Sequence, residues 1–160
     1  MSRSRVFLKY WLPVLLWMAL IFTASTDALS SNKTSRFIGP VLLWLKPDLE
    51  PETVERIVFI VRKTAHVAEY GILSILAWRA FWQPVRGDQR SWQWKPALRA
   101  LALAVCYAAT DEWHQTFTAN RWGTVADVLL DSAGALAGII FLWLCWNWRA
   151  KLHTGSESGA

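Results

Sequence analysis

Residues 97–109 form a hydrophobic run that ends in Asp111-Glu112-Trp113-His114-Gln115. An Asp at the centre of a membrane helix costs roughly 2.5–3.5 kcal/mol on insertion scales. Such a cluster must sit near the interface, face a wet cavity, or meet partners on other helices. Two further segments qualify as partners. Arg62-Lys63-Thr64-Ala65-His66 with Glu69-Tyr70 opens one hydrophobic run, and Asp127 and Asp131 open another. Three helices therefore each carry ionisable groups at one end, and any fold has to bring those ends together.

Composition supports a membrane reading. In 160 residues, 54% are hydrophobic and 12 are tryptophan, which is unlike an ordinary soluble domain. The apolar runs approach the length needed to cross a bilayer core of about 30 Å. Trp11, Trp44, Trp82, Trp113, Trp122 and Trp148 lie at or beside the ends of these runs, where indole favours the membrane–water interface. The formal charge of +5 comes from basic residues that flank hydrophobic segments, as positive-inside sorting requires. That distribution argues against nucleic acid as a partner. Cys106 and Cys145 lie inside apolar runs without metal spacing and read as small buried side chains.

The expected fold is all-α and multi-pass. Arg3, Arg5 and Lys9 precede an apolar run over about 10–22, which reads as an uncleaved first transmembrane helix. After a Ser/Thr-rich stretch, residues 37–45 are apolar but too short to span. They read as an interfacial or re-entrant piece broken at Gly39-Pro40. Pro51 and the acids after it mark a helix start. An amphipathic pattern follows on Val54, Ile57, Val58 and Val61, running into a second span over about 64–82. Residues 83–95 form a polar loop. The third span covers about 96–113, and the fourth about 125–146. Four transmembrane helices, with a short amphipathic segment between the first and second, make one domain over 1–153. Residues 154–160 read as a disordered polar tail.

Charge sets the topology. The N-terminal segment, the loop 83–95 and the Arg149–Lys151 end are basic, so they stay cytoplasmic and both termini lie inside. The three ionisable clusters then share the outer side. On each helix, residues three and four apart share a face. His66, Glu69, Tyr70 and Leu73 form one stripe, with Arg62 a turn before. Tyr107, Asp111, His114 and Gln115 form a second, with Glu112 read as pointing away into solvent. Asp127, Asp131, Gly134 and Gly138 form a third. Its Gly-x-x-x-Gly seam allows close helix approach, and Ala100, Ala104 and Ala108 offer the same spacing on the third span.

Lys63-x-x-His66 with Glu69-Tyr70, then Asp111-Glu112-x-His114-Gln115-x-Phe117, then Arg121, Asp127, Asp131, Gly134 and Gly138 resemble the VanZ-like family of bacterial membrane proteins. The similarity spans about residues 22–142. Asp131 stands where many members carry asparagine, and Ala119-Asn120 replaces a proline often found before the Arg. The resemblance implies residence in a bacterial cytoplasmic membrane and a link to the cell envelope. The family's founding member is associated with low-level teicoplanin resistance, through reduced drug binding at the cell surface.

Three uses of the cluster compete. As a structural lock, acids pair with Arg and Lys across helices. As a lipid site, Arg62, Lys63 and Arg121 take phosphate, while Tyr70, Gln115, Asp127 and Asp131 take hydroxyls or amines. As a catalytic set, His66, Glu69, Asp111, His114 and Asp127 offer ligands to a divalent metal, or His66, Glu69, Asp111 and His114 move protons. No H-E-x-x-H or nucleophile motif is present, and Asp111-x-x-His114 alone is a weak metal signal. Neither a metal nor a cofactor is expected. Four short helices leave little room for a transporter's alternating access. The expected function is an outward-facing polar site that binds or processes an anionic, lipid-linked envelope molecule. The alternatives are an enzyme acting on a phospholipid or polyprenyl phosphate, and a non-catalytic scaffold for envelope enzymes. Expected partners are membrane lipid or a lipid-linked precursor, with a homo-oligomer or an envelope enzyme as protein partner.

Overall fold

The structure, a computed structural model, describes residues 3–25, 31–84, 88, 90–117 and 123–157. Side chains are described for all of these except 31–37 and 152–157. Among the described residues every regular element is helical. Two helices, Arg3–Ser25 and Val125–Lys151, are long and apolar enough to cross a membrane by length and composition.

The first helix, α1 (Arg3–Ser25), is apolar around its whole circumference beyond Leu12. A helix of that kind is surrounded by protein or lipid. Here Leu15, Leu16, Leu20 and Phe22 are exposed. Helix α2 (Ser31–Leu45) keeps Pro40 inside an unbroken helix, so the expected break at Gly39-Pro40 does not occur. Proline costs one backbone bond there, and packing of α2 along α3 holds the helix together. Fifteen residues give a rod of about 22 Å, shorter than a bilayer core.

Helix α3 (Pro51–Trp82) begins with Pro51 in the first turn, as expected, and runs unbroken through the amphipathic stretch into the apolar one. It ends where Gln83 adopts the left-handed region at φ 49°, with its N–H donating to the Arg79 carbonyl. Helices α4 (Trp94–Gln115) and α5 (Val125–Glu157) both pack on α3, which is the centre of the bundle. Residues 154–157 continue α5, while 158–160 lie outside the described residues.

The seam on α5 meets a different helix from the one its spacing suggested. A Cβ on Gly134 would lie 2.4 Å from the Val67 carbonyl oxygen, and one on Gly138 would lie 2.5 Å from that of Gly71. The glycines therefore let α5 approach α3. Ala97, Ala100, Ala104 and Ala108 of α4 are buried as well. They join clusters with Tyr70, Leu73, Ala77 and Trp78, so both small-residue stripes serve α3. Cys106 falls on the outward side of α4 and is exposed, contrary to expectation, while Cys145 is half-buried.

At the basic end of the bundle, indoles engage the described residues 88, 90 and 92 of the segment read as a polar loop. Trp78, Trp82, Trp92 and Trp146 pack ring to ring at 5.4–6.4 Å. Trp82 donates to Asp88, and Trp146 donates to the Arg90 carbonyl. Hydrogen bonds from the Arg90 side chain hold the Asp88 carboxyl below its ordinary range. Trp82 thus belongs to the core and not to an interfacial belt, whereas Trp44, Trp113 and Trp148 are exposed as a belt requires. Trp122 lies outside the described residues.

Candidate functional site

The buried stripe of α4 changes chemistry along its length. Ala97, Ala100, Ala104 and Ala108 give way to Asp111, Glu112 and Gln115, all buried. Glu112 was expected to be solvated, but it lies four residues after Ala108 and so shares the inward face with Asp111, three residues after it. Its Oε2 accepts the Thr124 backbone N–H at 3.1 Å, and its Oε1 accepts from the Gln115 amide at 3.1 Å. The same amide donates to Asp111 Oδ2 at 3.1 Å. Ser25, at the end of α1, donates to that oxygen at 2.6 Å.

Close backbone approach underlies the Glu112–Thr124 contact. A Cβ on Gly123 would sit 2.0 Å from the Glu112 carbonyl oxygen. Gly123→Ala should therefore push the start of α5 away from α4. Its expected result is a melting temperature several degrees lower, corresponding to roughly 1–3 kcal/mol of overpacking. A thermal melt of the purified variant checks this.

The remaining candidates gather around the same end. Lys63 of α3 pairs with Asp127 of α5. His66 Nδ1 lies 3.7 Å from Glu69 Oε2, one turn away on α3. The Glu69 carbonyl accepts from Trp17 of α1 at 2.9 Å, and the Tyr107 hydroxyl donates to the Met18 carbonyl at 2.6 Å. Tyr70 is fully buried, with its ring 6.4 Å from that of Tyr107. Asp131 is 1% exposed and lies within electrostatic reach of Glu112, Asp111, Asp127 and Glu69. Among the described residues, neither oxygen of Asp131 has a hydrogen-bond partner, nor does Asp111 Oδ1 or the Tyr70 hydroxyl.

Not every candidate converges. His114 packs against Phe22 of α1 at 4.6 Å between ring centroids. Arg62 is half-buried and in no ion pair among the described residues. Arg121 lies outside the described residues. Sequence reasoning missed Ser25, Thr124 and the inward turn of Glu112. Only Glu112 left a usable signal, in its spacing from Ala108. No three His, Cys, Asp or Glu side chains are grouped to hold a metal ion among the described residues.

The Lys63–Asp127 pair is about a quarter to a third exposed, so solvent screens it. A double-mutant cycle with Lys63→Met and Asp127→Asn should give a coupling of no more than about 1 kcal/mol. A coupling several times larger would make the pair a buried lock.

An all-helical bundle with lipid-like exposed faces and a carboxylate cluster buried at one end defines an integral-membrane class of protein. Within that class, the VanZ/LLP1 family model matches residues 10–146, and the chain belongs to that family. Comparisons with curated proteins and with solved structures gave no match.

Proposed function

We propose that the chain crosses a bacterial cytoplasmic membrane four times, through α1, α3, α4 and α5, with both termini on the cytoplasmic side. Helix α2 lies along the outer interface. The acid-rich end then faces outward and binds an anionic, lipid-linked molecule of the cell envelope. What supports this reading is the set of polar atoms without a partner among the described residues: both oxygens of Asp131, one of Asp111, and the Tyr70 hydroxyl. Unsatisfied buried groups cost about 1–3 kcal/mol each. A ligand bringing hydroxyl or amine donors offsets that cost, while Arg62 and Lys63 at the same end meet its phosphate. Membership of the VanZ/LLP1 family is consistent with a part in teicoplanin resistance. Holding an envelope precursor at the outer surface would lower the drug's access to it.

Mass spectrometry of lipid retained by the purified protein tests the reading directly. An envelope lipid should be retained by the native chain and lost from Asp111→Asn. Equal retention in both would overturn the assignment of this site. Topology has its own test in a background lacking Cys106 and Cys145. An impermeant thiol reagent on intact cells should label Thr116→Cys and leave Ser91→Cys untouched; both positions are exposed. The reverse pattern would turn the site toward the cytoplasm.

A further inference from the structure

Helix α1 departs from regular geometry near its start, and the cause is Pro13. Proline has no N–H, so the Lys9 carbonyl four residues earlier loses its helical donor. The chain widens there into a π turn over Phe7–Trp11, with the Leu12 N–H reaching back to the Phe7 carbonyl. The freed Lys9 carbonyl is taken by another helix: Arg79 Nη1 of α3 donates to it at 3.1 Å. This contact brings two cations to one aromatic ring. Lys9 Nζ lies 4.9 Å from the centroid of Tyr10, and the Arg79 guanidinium carbon lies 5.1 Å from it. Tyr10 is itself 3% exposed and fixed by its hydroxyl, which donates to the Pro84 carbonyl at 3.0 Å.

Neither cation is in an ion pair with an acid among the described residues. Asp88, the acid described at this end, is engaged by Arg90. Arg79 spends one hydrogen bond on Lys9, and a guanidinium has five N–H donors. Two cations from two packed helices, without an acid partner among the described residues, match the way membrane proteins bind anionic headgroups at their basic end. We propose that Lys9 and Arg79, joined over Tyr10, form a phosphate site that takes the headgroup of an anionic phospholipid from the adjoining leaflet. The Arg fork engages the phosphate oxygens, and the Lys ammonium adds a second charge. This site lies at the opposite end of the bundle from the carboxylate cluster, and its fate is separate from that of the cluster.

The test uses the full chain in neutral detergent, titrated with short-chain phosphatidylglycerol, with phosphatidylcholine of the same chain length, and with inorganic phosphate. The readout is the melting temperature. Phosphatidylglycerol should give a saturable rise that phosphatidylcholine and inorganic phosphate do not match. Arg79→Gln removes a structural hydrogen bond and is a poor probe. Lys9→Gln is the better one, because the Lys9 side chain makes no hydrogen bond among the described residues. It should weaken the apparent affinity for phosphatidylglycerol by roughly fivefold. Arg99→Gln removes an exposed cation near the same end, outside the site, and should leave the affinity unchanged. Equal weakening by Arg99→Gln would mean diffuse attraction to the surface and overturn the site. So would an unaltered response in Lys9→Gln. A full response to inorganic phosphate would overturn the lipid as its source.

Discussion

Gly134→Ala is expected to be among the most damaging single-methyl additions in this protein. The new Cβ would lie 2.4 Å from the Val67 carbonyl oxygen and 2.9 Å from the Val67 Cα. Both obstacles belong to the backbone of α3, so no rotamer change relieves them. The helices must separate, and the buried face between Tyr70, Leu73 and Ala135 loses its fit. Overpacking usually costs about 1–3 kcal/mol, and a clash of backbone with backbone belongs at the upper end of that range. Gly138→Leu meets the Gly71 carbonyl and the Ser74 hydroxyl, both at 2.5 Å, and should do still worse. Gly71→Ala makes the contrast, because its Cβ would stand 3.3 Å from its nearest neighbour. The measurement is thermal unfolding of the three purified variants. Wild-type melting for Gly134→Ala would mean that α5 does not pack on α3 through this seam.

The glycine seam also shows what could and could not be read from the sequence. That Gly134 and Gly138 allow close approach follows from their four-residue spacing. Which helix approaches them does not. The alanine stripe of α4 has the same spacing, and helical periodicity describes one helix without naming its neighbour. The start of α3 at Pro51 was legible because proline at the first turn acts locally. The continuity of α2 through Pro40 was not, since packing against another helix overrides a local breaker. At the site, Lys63, Asp111, Asp127 and Asp131 could be found because an ionisable group beside an apolar run is conspicuous. Ser25 could not, because one serine in a serine-rich stretch looks like the rest until Asp111 is placed beside it. The tryptophan cluster went unread for a similar reason. Trp82 and Trp92 sit where interfacial residues belong, and only the structure shows that both pack on Trp78 and Trp146.

Asp131→Asn is expected to keep or raise the melting temperature while abolishing ligand retention. Asp131 is 1% exposed and has no partner on either oxygen among the described residues, and Asp111, Glu112 and Asp127 lie within electrostatic reach. A carboxylate so placed contributes no pairing energy, and replacing it with a neutral isostere removes repulsion and desolvation cost. A residue that holds the fold together would behave in the opposite way. Asp111 provides the comparison, because its Oδ2 accepts from Ser25 and Gln115. Asp111→Leu strands the Ser25 hydroxyl, while the Gln115 amide keeps Glu112, and should cost about 1–3 kcal/mol. Asp111→Asn keeps an acceptor for Ser25 and should stay near wild-type stability. If the cluster is a binding site, both asparagine variants should retain at least about tenfold less envelope lipid, a loss of about 1.4 kcal/mol. Protection against a teicoplanin-type drug should fall with it. Gain of stability with loss of function is the mark of groups held together for a ligand. If Asp131→Asn melts several degrees lower, the carboxylate has a structural partner and the site reading fails there. If it melts normally and retains its lipid, Asp131 is buried for reasons unconnected with binding.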